Sequence, residues 1–358
     1  MAHAVVLGTR PEIIKLSPLI REFENRGEAY FILHTGQHYS YNMDRVFFEQ
    51  LELPGARYHL DVGSGSHGEQ TGKMLEGIEE VFGRERVETA IVQGDTNTVL
   101  AGALAAAKMH IPVAHVEAGL RSYDRRMPEE INRVVADHLS DYLFAPTEVS
   151  RGNLLKEGVE GGKIHVVGNT IVDALMQNLE LARRRVNPED VGVTEGGYIL
   201  MTAHRAENVD DRERFLGIIE GVNGLAEETG LEVLYPIHPR SRKMMELFGL
   251  SPGRIRLTEP LDYLTFLLLE SSAALVVTDS GGVQEEACIL KVPCITVRDN
   301  TERPETVEVG ANVLVGTDPK SIVEMGLLML DRRGVWENPF GDGRSGKRIA
   351  DILEGVGM

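Results

Sequence analysis

The stretch "TAIVQGDTNTVLAGALAAAKMHIPVAHVEAG", residues 89–119, contains one complete unit of the fold. "TAIVQ" and "PVAHV" are short apolar runs, and "NTVLAGALAAAKMH" between them carries a helical pattern. Strand, helix and strand in that order predict a buried parallel pair joined by a crossover. The residues just past each strand differ in kind from the strands. Gly94-Asp95-Thr96 follows the first and Glu117 follows the second.

The same alternation extends in both directions. "HAVVL", "YFIL" and "YLFAP" are further strands of the first half, and "EIIKLSPLIREFE" and "GEQTGKMLEGIEEVF" are amphipathic helices. "YILMT", "EVLYPI", "RIRLT", "ALVVT", "PCITV" and "NVLVG" restart the pattern in the second half. Between the halves, "DALMQNLELARRRVNPEDVGVTEGG" reads as a long helix followed by a polar, glycine-containing linker. The predicted class is α/β, with two Rossmann-like, doubly wound domains facing one cleft. We place the first over residues 1–172 and the second over 173–338, with a terminal helix in 339–358 packing back on the first. A chain of 358 residues is long enough for two cores.

Bulk properties narrow the function. A formal net charge of −18 argues against nucleic acid, which needs a basic face. It leaves room for one small anion, because backbone amides and a few arginines make a local positive pocket. No apolar stretch approaches the roughly 20 residues of a bilayer crossing, and the chain opens on a strand rather than a signal-peptide pattern. The expectation is a cytoplasmic protein with no membrane partner. Two cysteines, Cys288 and Cys294, suit reduced, packed thiols. The 11 histidines are scattered, so no metal is expected.

The strand ends carry the chemistry. "LGTRPEIIK" lacks the G-x-G-x-x-G fingerprint, so a nicotinamide cofactor has no support and none is expected. Arg10 and Lys15 either hold phosphate or are a surface arginine and a snorkelling lysine. A lone Asp95 or Thr96 would read as a helix N-cap. Glu117 at the neighbouring strand end, and Glu129 and Glu130 on a Pro128-led helix, favour a site instead. Three carboxylates in one cleft would raise one another's proton affinity, which suits acid and base work. The alternative is a salt-bridged cluster with Arg121, Arg125 and Arg126. In the second half, His204 and Arg205 follow a strand. "VVTDSGGVQEEACI" joins a strand to a helix through Ser280-Gly281-Gly282, a turn whose free amides fit a diphosphate. A glutamate one turn into that helix can hold ribose hydroxyls. Arg303 stands beside a proline, and Phe266 is either core or a base-stacking ring, with spacing favouring core.

Taken together, "GTRPE", "GDTNT", "HVEAGLRS", "PEEINR", "GNTIVDA", "HRAEN", "TDSGGVQEEA" and "RDNTERPETVEVG" resemble the non-hydrolysing UDP-N-acetylglucosamine 2-epimerases, above all their archaeal-type members. The motifs run in order along nearly the whole chain. The resemblance implies a glycosyltransferase-B-like fold, a homodimer, a UDP-sugar substrate and interconversion of UDP-GlcNAc with UDP-N-acetylmannosamine. It implies acid/base carboxylates at Asp95, Glu117 and Glu129, with His204 in the catalytic set and at the nucleotide. It further implies substrate contacts from Arg10, Lys15, Leu261, Phe266, Ser280, Gly281, Gly282, Glu286 and Arg303. After Gln37 and His38 the sequence departs from the common bacterial pattern, where some members bind a second UDP-GlcNAc as activator.

The chemistry agrees with that resemblance. The C2 proton of the sugar has no adjacent carbonyl, so direct removal faces a prohibitive barrier. Either transient oxidation or expulsion of UDP from C1 would activate it. The chain lacks the fingerprint for the first route and has diphosphate-binding features for the second. The family's route is anti elimination to a 2-acetamidoglucal, followed by re-addition of UDP. Rival readings are a 2-epimerase of UDP-2,3-diacetamido-glucuronic acid, a UDP-sugar glycosyltransferase of the same fold, and a binding protein without turnover.

Overall fold

The structure is a computed structural model that describes residues 1–36 and 41–355, residues 41–44 as backbone alone. It folds as two units, Met1–Gln177 with Phe340–Met358, and Asn178–Pro339. The first unit is built on β1 (Ala2–Leu7), β2 (Tyr30–His34), β3 (Tyr58–His59), β4 (Val87–Gln93), β5 (Val113–Val116), β6 (Tyr142–Ala145) and β7 (Ile164–Val166). The second is built on β8 (Tyr198–Thr202), β9 (Glu232–Pro236), β10 (Ile255–Thr258), β11 (Leu275–Thr278), β12 (Cys294–Thr296) and β13 (Asn312–Leu314). The sheet orders are β3-β2-β1-β4-β5-β6-β7 and β10-β9-β8-β11-β12-β13. Central pairings such as β1–β4, β4–β5, β8–β9 and β8–β11 are parallel. The α/β, doubly wound class read from the sequence is therefore the class observed.

The central strands are mostly apolar because helices cover both faces of each sheet. Val5, Val6, Ile91 and Val92 are fully buried, as are Ile199, Leu200, Val276 and Val277. In the second unit one face packs Met201, Phe215, Val222 and Tyr235, and the other packs Tyr198, Leu200, Val276 and Cys294. Cys288 and Cys294 are free and buried. Burial pushes the Cys288 thiol up to about 12, which leaves it unreactive at neutral pH. Two strands have no counterpart in the apolar runs. "YH" of β3 and "IHV" of β7 sit at the sheet edges and are too short to show a period.

The chain's last helix, Ser345–Leu353, lies on the helix Arg10–Arg26. Arg26 reaches Asp351 (2.7 Å) and Glu354 (3.0 Å). Asp173 accepts from the Gly346 amide at 2.9 Å. Among the described residues, no helix is long and apolar enough to cross a membrane.

Strand order reverses once in each sheet, between β1 and β4 and between β8 and β11. At such a point the connecting loops part to opposite faces and leave a crevice beyond the carboxyl ends of the strands. The loops that flank these two points begin at Gly8, at Gly94, at Ala203 and at Asp279.

Candidate active site

In the first unit, one buried carboxylate ties the loops of the switch point together. Gly8 leaves β1 where an added Cβ would lie 2.0 Å from Thr35 Oγ1, so only glycine fits. Thr9 then starts the helix Arg10–Arg26, with Pro11 in its first turn. Glu12 folds back, and its Oε2 accepts from the amides of Gly8 (2.6 Å) and Thr9 (2.8 Å). Its Oε1 accepts from the Thr96 hydroxyl at the end of β4. Burial raises the Glu12 carboxyl above its ordinary range, against the pull of Thr96 and the amides.

Thr96 also caps the helix Asn97–Lys108, so Asp95 is not the cap. The Asp95 carboxylate is paired with Arg133, and its backbone carbonyl accepts from Asn132 Nδ2 at 2.9 Å. Both partners stand on the helix Pro128–Leu139. Glu129 lies three and four residues before them, on the same face of that helix. It is exposed and makes no hydrogen bond or ion pair among the described residues. Glu130 has a different task. It is buried and accepts from Ser122 N (3.0 Å), Ser122 Oγ (3.0 Å), Tyr123 N (2.9 Å) and Arg133 (2.8 Å). Burial alone would raise its carboxyl, but those donors outweigh it and the net direction is down.

Glu117 follows β5, whose Val116 pairs with Gln93 of β4. Its φ is +69°, an uncommon conformation for a residue with a Cβ and one that costs on the order of 1 kcal/mol. The turn lets the amides of Glu117 and Ala118 both donate to the Phe144 carbonyl at 3.1 Å. The carboxylate is buried, receives Lys15 Nζ at 2.7 Å on each oxygen, and accepts from the Gln93 amide. Gly119 continues the turn at φ +81°, with Ser150 O 2.4 Å from where its Cβ would stand. No other residue fits there.

Beneath these loops lies a buried charge network. His115 donates from Nδ1 to Asp137 Oδ1 (2.7 Å) and from Nε2 to the Gly94 carbonyl (2.8 Å). Both partners are acceptors, so both ring nitrogens carry protons and the ring is cationic. Burial alone would lower its pKa, but the Asp137 carboxylate outweighs burial and raises it. Asp137 Oδ2 accepts from Gly119 N (3.2 Å) and Arg121 (2.7 Å). Arg121 is in turn held by Glu157 at 2.6 Å. One histidine thus anchors both the Asp95 loop and the Glu117 loop.

The second unit closes its switch point differently. Asp279, fully buried at the end of β11, accepts from the amides of His204 (2.9 Å) and Arg205 (2.9 Å) and from Asn208 Nδ2 (3.3 Å). Thr202 and Thr278 bond across the same point at 2.6 Å. The His204 ring is partly exposed, with Nδ1 3.3 Å from Asp279. Burial lowers its pKa, the Asp279 charge opposes that, and His238 and Arg205 add to it, so the ring is neutral near pH 7. Ser280 begins the helix Gly281–Ile289 without capping it by its side chain. Around Gly282 the backbone is open, the nearest atom to an added Cβ being Ser280 Oγ at 3.8 Å. No side chain caps the first amides of that helix, although Glu302 Oε2 lies 3.4 Å from where a Cβ on Gly281 would stand. Arg303 Nε reaches Glu285 at 3.3 Å, and Glu286 is half-buried beside it. Leu261 and Phe266 are partly buried at the margin of the cluster around Tyr198 and Val276.

A family model described as UDP-N-acetylglucosamine 2-epimerase matches residues 21–354. The chain is 57% identical over 361 residues to the UDP-N-acetylglucosamine 2-epimerase of Methanocaldococcus jannaschii, covering 99% of each. The chain belongs to the UDP-N-acetylglucosamine 2-epimerase family. The crystal structure of the Methanocaldococcus jannaschii UDP-GlcNAc 2-epimerase in complex with UDP-GlcNAc and UDP matches with a TM-score of 0.85 at 57% identity, over 99% of both chains. The UDP-2,3-diacetamido-2,3-dideoxy-D-glucuronate 2-epimerase of Pseudomonas aeruginosa is 44% identical, again over 99% of both.

Two of the three carboxylates expected to share the site each face a cation, and Glu129 has none among the described residues. Lys15 holds Glu117 and Arg133 holds Asp95. Nor do the three arginines of the alternative cluster serve them. Arg121 is bound to Asp137 and Glu157, Arg126 pairs with Asp124, and Arg125 is exposed. Gln37 and His38 lie outside the described residues. Sequence reading passed over Glu12, Gln93, His115, Asp137, Arg133 and Asp279. Signals existed for three of them. Thr9-x-x-Glu12 is a capping box, His115 interrupts an apolar strand, and Asp279 stands between a strand and Ser280. Arg133 and Asp137 become visible only once the helix has docked.

Proposed function

We propose that the chain interconverts UDP-GlcNAc and UDP-N-acetylmannosamine. A carboxylate removes the C2 proton while the C1–O bond breaks, its electron pair leaving with UDP and a C1=C2 double bond forming. UDP then adds back at C1 as a second group delivers a proton to the opposite face of C2. Nothing is oxidised, and the atoms balance without a co-reactant. The acid and base roles fall to Asp95, Glu117 and Glu129, and the departing diphosphate to Arg10, Arg303 and the amides of Ser280, Gly281 and Gly282. A neutral His204 suits a donor or acceptor beside that phosphate. Leu261 and Phe266 take the base, and Glu286 takes the ribose.

The observation that carries this reading is Glu117. It is buried, held in a strained turn, clasped by Lys15 and Gln93, and set at the strand next to the one that presents Asp95. The named relatives supply the substrate, and the N-acetylglucosamine enzyme is the nearer in identity. The motifs also lead us to propose a homodimer, which sedimentation would test.

The test is a proton spectrum of the protein with UDP-GlcNAc in heavy water. The expected result is growth of UDP-N-acetylmannosamine to equilibrium, with solvent deuterium at C2 and no acceptor added. Retention of the C2 proton through turnover would exclude elimination. No turnover here, with turnover of UDP-2,3-diacetamido-glucuronate, would transfer the activity to the sister reaction.

A further inference from the structure

Glu270 is fully buried on the helix Tyr263–Ser272, and neither of its carboxyl oxygens has a hydrogen-bond donor among the described residues. Its neighbours in sequence, Leu269 and Ala273, belong to the apolar cluster of Val276, Ala287 and Cys294. The polar group its carboxyl meets is another carboxyl, that of Glu286 on the helix Gly281–Ile289. Two carboxylates cannot share an apolar interior as two charges, so the pair holds a proton. The other titratable groups near Glu270 are Tyr198 and Cys294, both of them neutral, and neither relieves it. Arg333 is spent on the carbonyls of Ser271 and Ala273 at the end of the same helix. Burial, followed by Glu286, drives the Glu270 carboxyl well above the ordinary glutamate range.

We propose that Glu270 is a positioning residue: it carries the shared proton and donates it as a hydrogen bond to Glu286, holding that carboxylate ionised and aimed at the ribose hydroxyls of a bound uridine nucleotide. This rests on the assignment of Glu286 to the ribose. Of the two, Glu286 is the half-buried one, so the charge stays on the oxygen pair that a ligand can reach. Glutamine at 270 would still donate to Glu286 through its amide. Leucine would fit the apolar surroundings and donate nothing.

The experiment compares the full-length wild type with Glu270→Gln and Glu270→Leu, by calorimetric titration with UDP and with 2′,3′-dideoxy-UDP. Wild type and Glu270→Gln should prefer UDP by the same factor. In Glu270→Leu, UDP should bind about tenfold more weakly while the dideoxy nucleotide is unchanged, about the worth of one hydrogen bond to a charged group. A Glu270→Leu protein with the wild-type preference would overturn the proposal. The second arm is unfolding of the ligand-free proteins against pH. Glu270 keeps its proton when folded and loses it when unfolded, so the folding constant of the wild type should fall by up to about tenfold per pH unit above the ordinary glutamate range. Glu270→Gln lacks that loss, and equal slopes for the two proteins would remove the shared proton. A wild type that bound no UDP would sink the nucleotide assignment and with it the ribose half of the proposal, while the unfolding arm would still read the proton.

Discussion

The two switch points use the same device from opposite sides. In the first unit the buried carboxylate, Glu12, comes from the helix after β1 and reaches the loop after β4. In the second it is Asp279 at the end of β11, reaching back to the loop after β8. The consequence lies in which amides are consumed. Glu12 occupies the amides at the start of its own helix, and Thr96 caps the facing one. Both of these helix starts of the first unit are thus bonded by side chains of that unit. Asp279 occupies amides of the other loop and leaves the helix at Gly281 uncapped. One topology, with one acid moved across the switch point, gives two chemically different ends, which the proposed function uses as an acid/base end and an anion-holding end.

That division can be broken most directly at Glu117. Glu117→Gln should lower kcat by about 10²- to 10⁴-fold, the usual worth of a general acid or base. UDP affinity, measured by titration, should stay within about threefold of wild type, because Glu117 is not among the residues proposed to hold the nucleotide. An equal loss of binding would refute the division. Asp279→Ala attacks the opposite end. It orphans the amides of His204 and Arg205 and the side-chain amide of Asn208, and should cost about 2–4 kcal/mol in denaturant unfolding. UDP affinity should fall with it, since the His204 loop loses its anchor. Arg133→Ala is milder. It releases Asp95 and one bond to Glu130, and about a tenfold loss of kcat is expected, with a stability cost of about 1–2 kcal/mol.

The strand ends were legible in the sequence, because a buried strand followed by Gly-Asp-Thr or by a lone glutamate breaks its own pattern. Glu117, Asp95 and the Ser280-Gly281-Gly282 turn could be picked out for that reason. The partners could not. Lys15 stands 102 residues from Glu117, and Arg133 reaches Asp95 only after its helix docks. Edge strands β3 and β7 escaped because two or three residues show no period. Glu129 and Glu130 show how thin local information is. They are adjacent, alike and at the start of one helix, yet one is exposed and the other bonded four times over. Only the direction of each side chain from the helix separates them.

A smaller effect should come from pH, through the network that anchors both loops of the first unit. Asp137 is held below its ordinary range because His115 and Arg121 outweigh its burial, and His115 is held above its own. Stability from His115 is complete below the ordinary histidine range and is lost as pH rises through its raised folded value. That from Asp137 is present above the ordinary aspartate range and lost as pH falls through its lowered one. The slope on the alkaline side should approach about 1.4 kcal/mol per pH unit within that window. His115→Gln should make the alkaline slope shallower than that of wild type, leaving the contribution of Glu270 and the acid side in place. Equal alkaline slopes for wild type and His115→Gln would mean that His115 is neutral, and that something else anchors Gly94.

The smallest expected effect is the most selective test of where the carboxylates find their cations. Arg126 is almost fully exposed and pairs with Asp124, two residues away in its own loop. Exposed pairs of this kind contribute little, because solvent screens them and two mobile side chains must be ordered to form them. Arg126→Ala should leave both melting temperature and turnover within error of wild type, against the clear loss expected for Arg133→Ala. The two arginines are seven positions apart around one helix start, so composition alone does not distinguish them. If both variants lost turnover equally, the loop arginines would be serving Asp95, Glu117 and Glu129 after all. The first unit would then hold its acids by diffuse charge rather than by the two dedicated cations, Lys15 and Arg133.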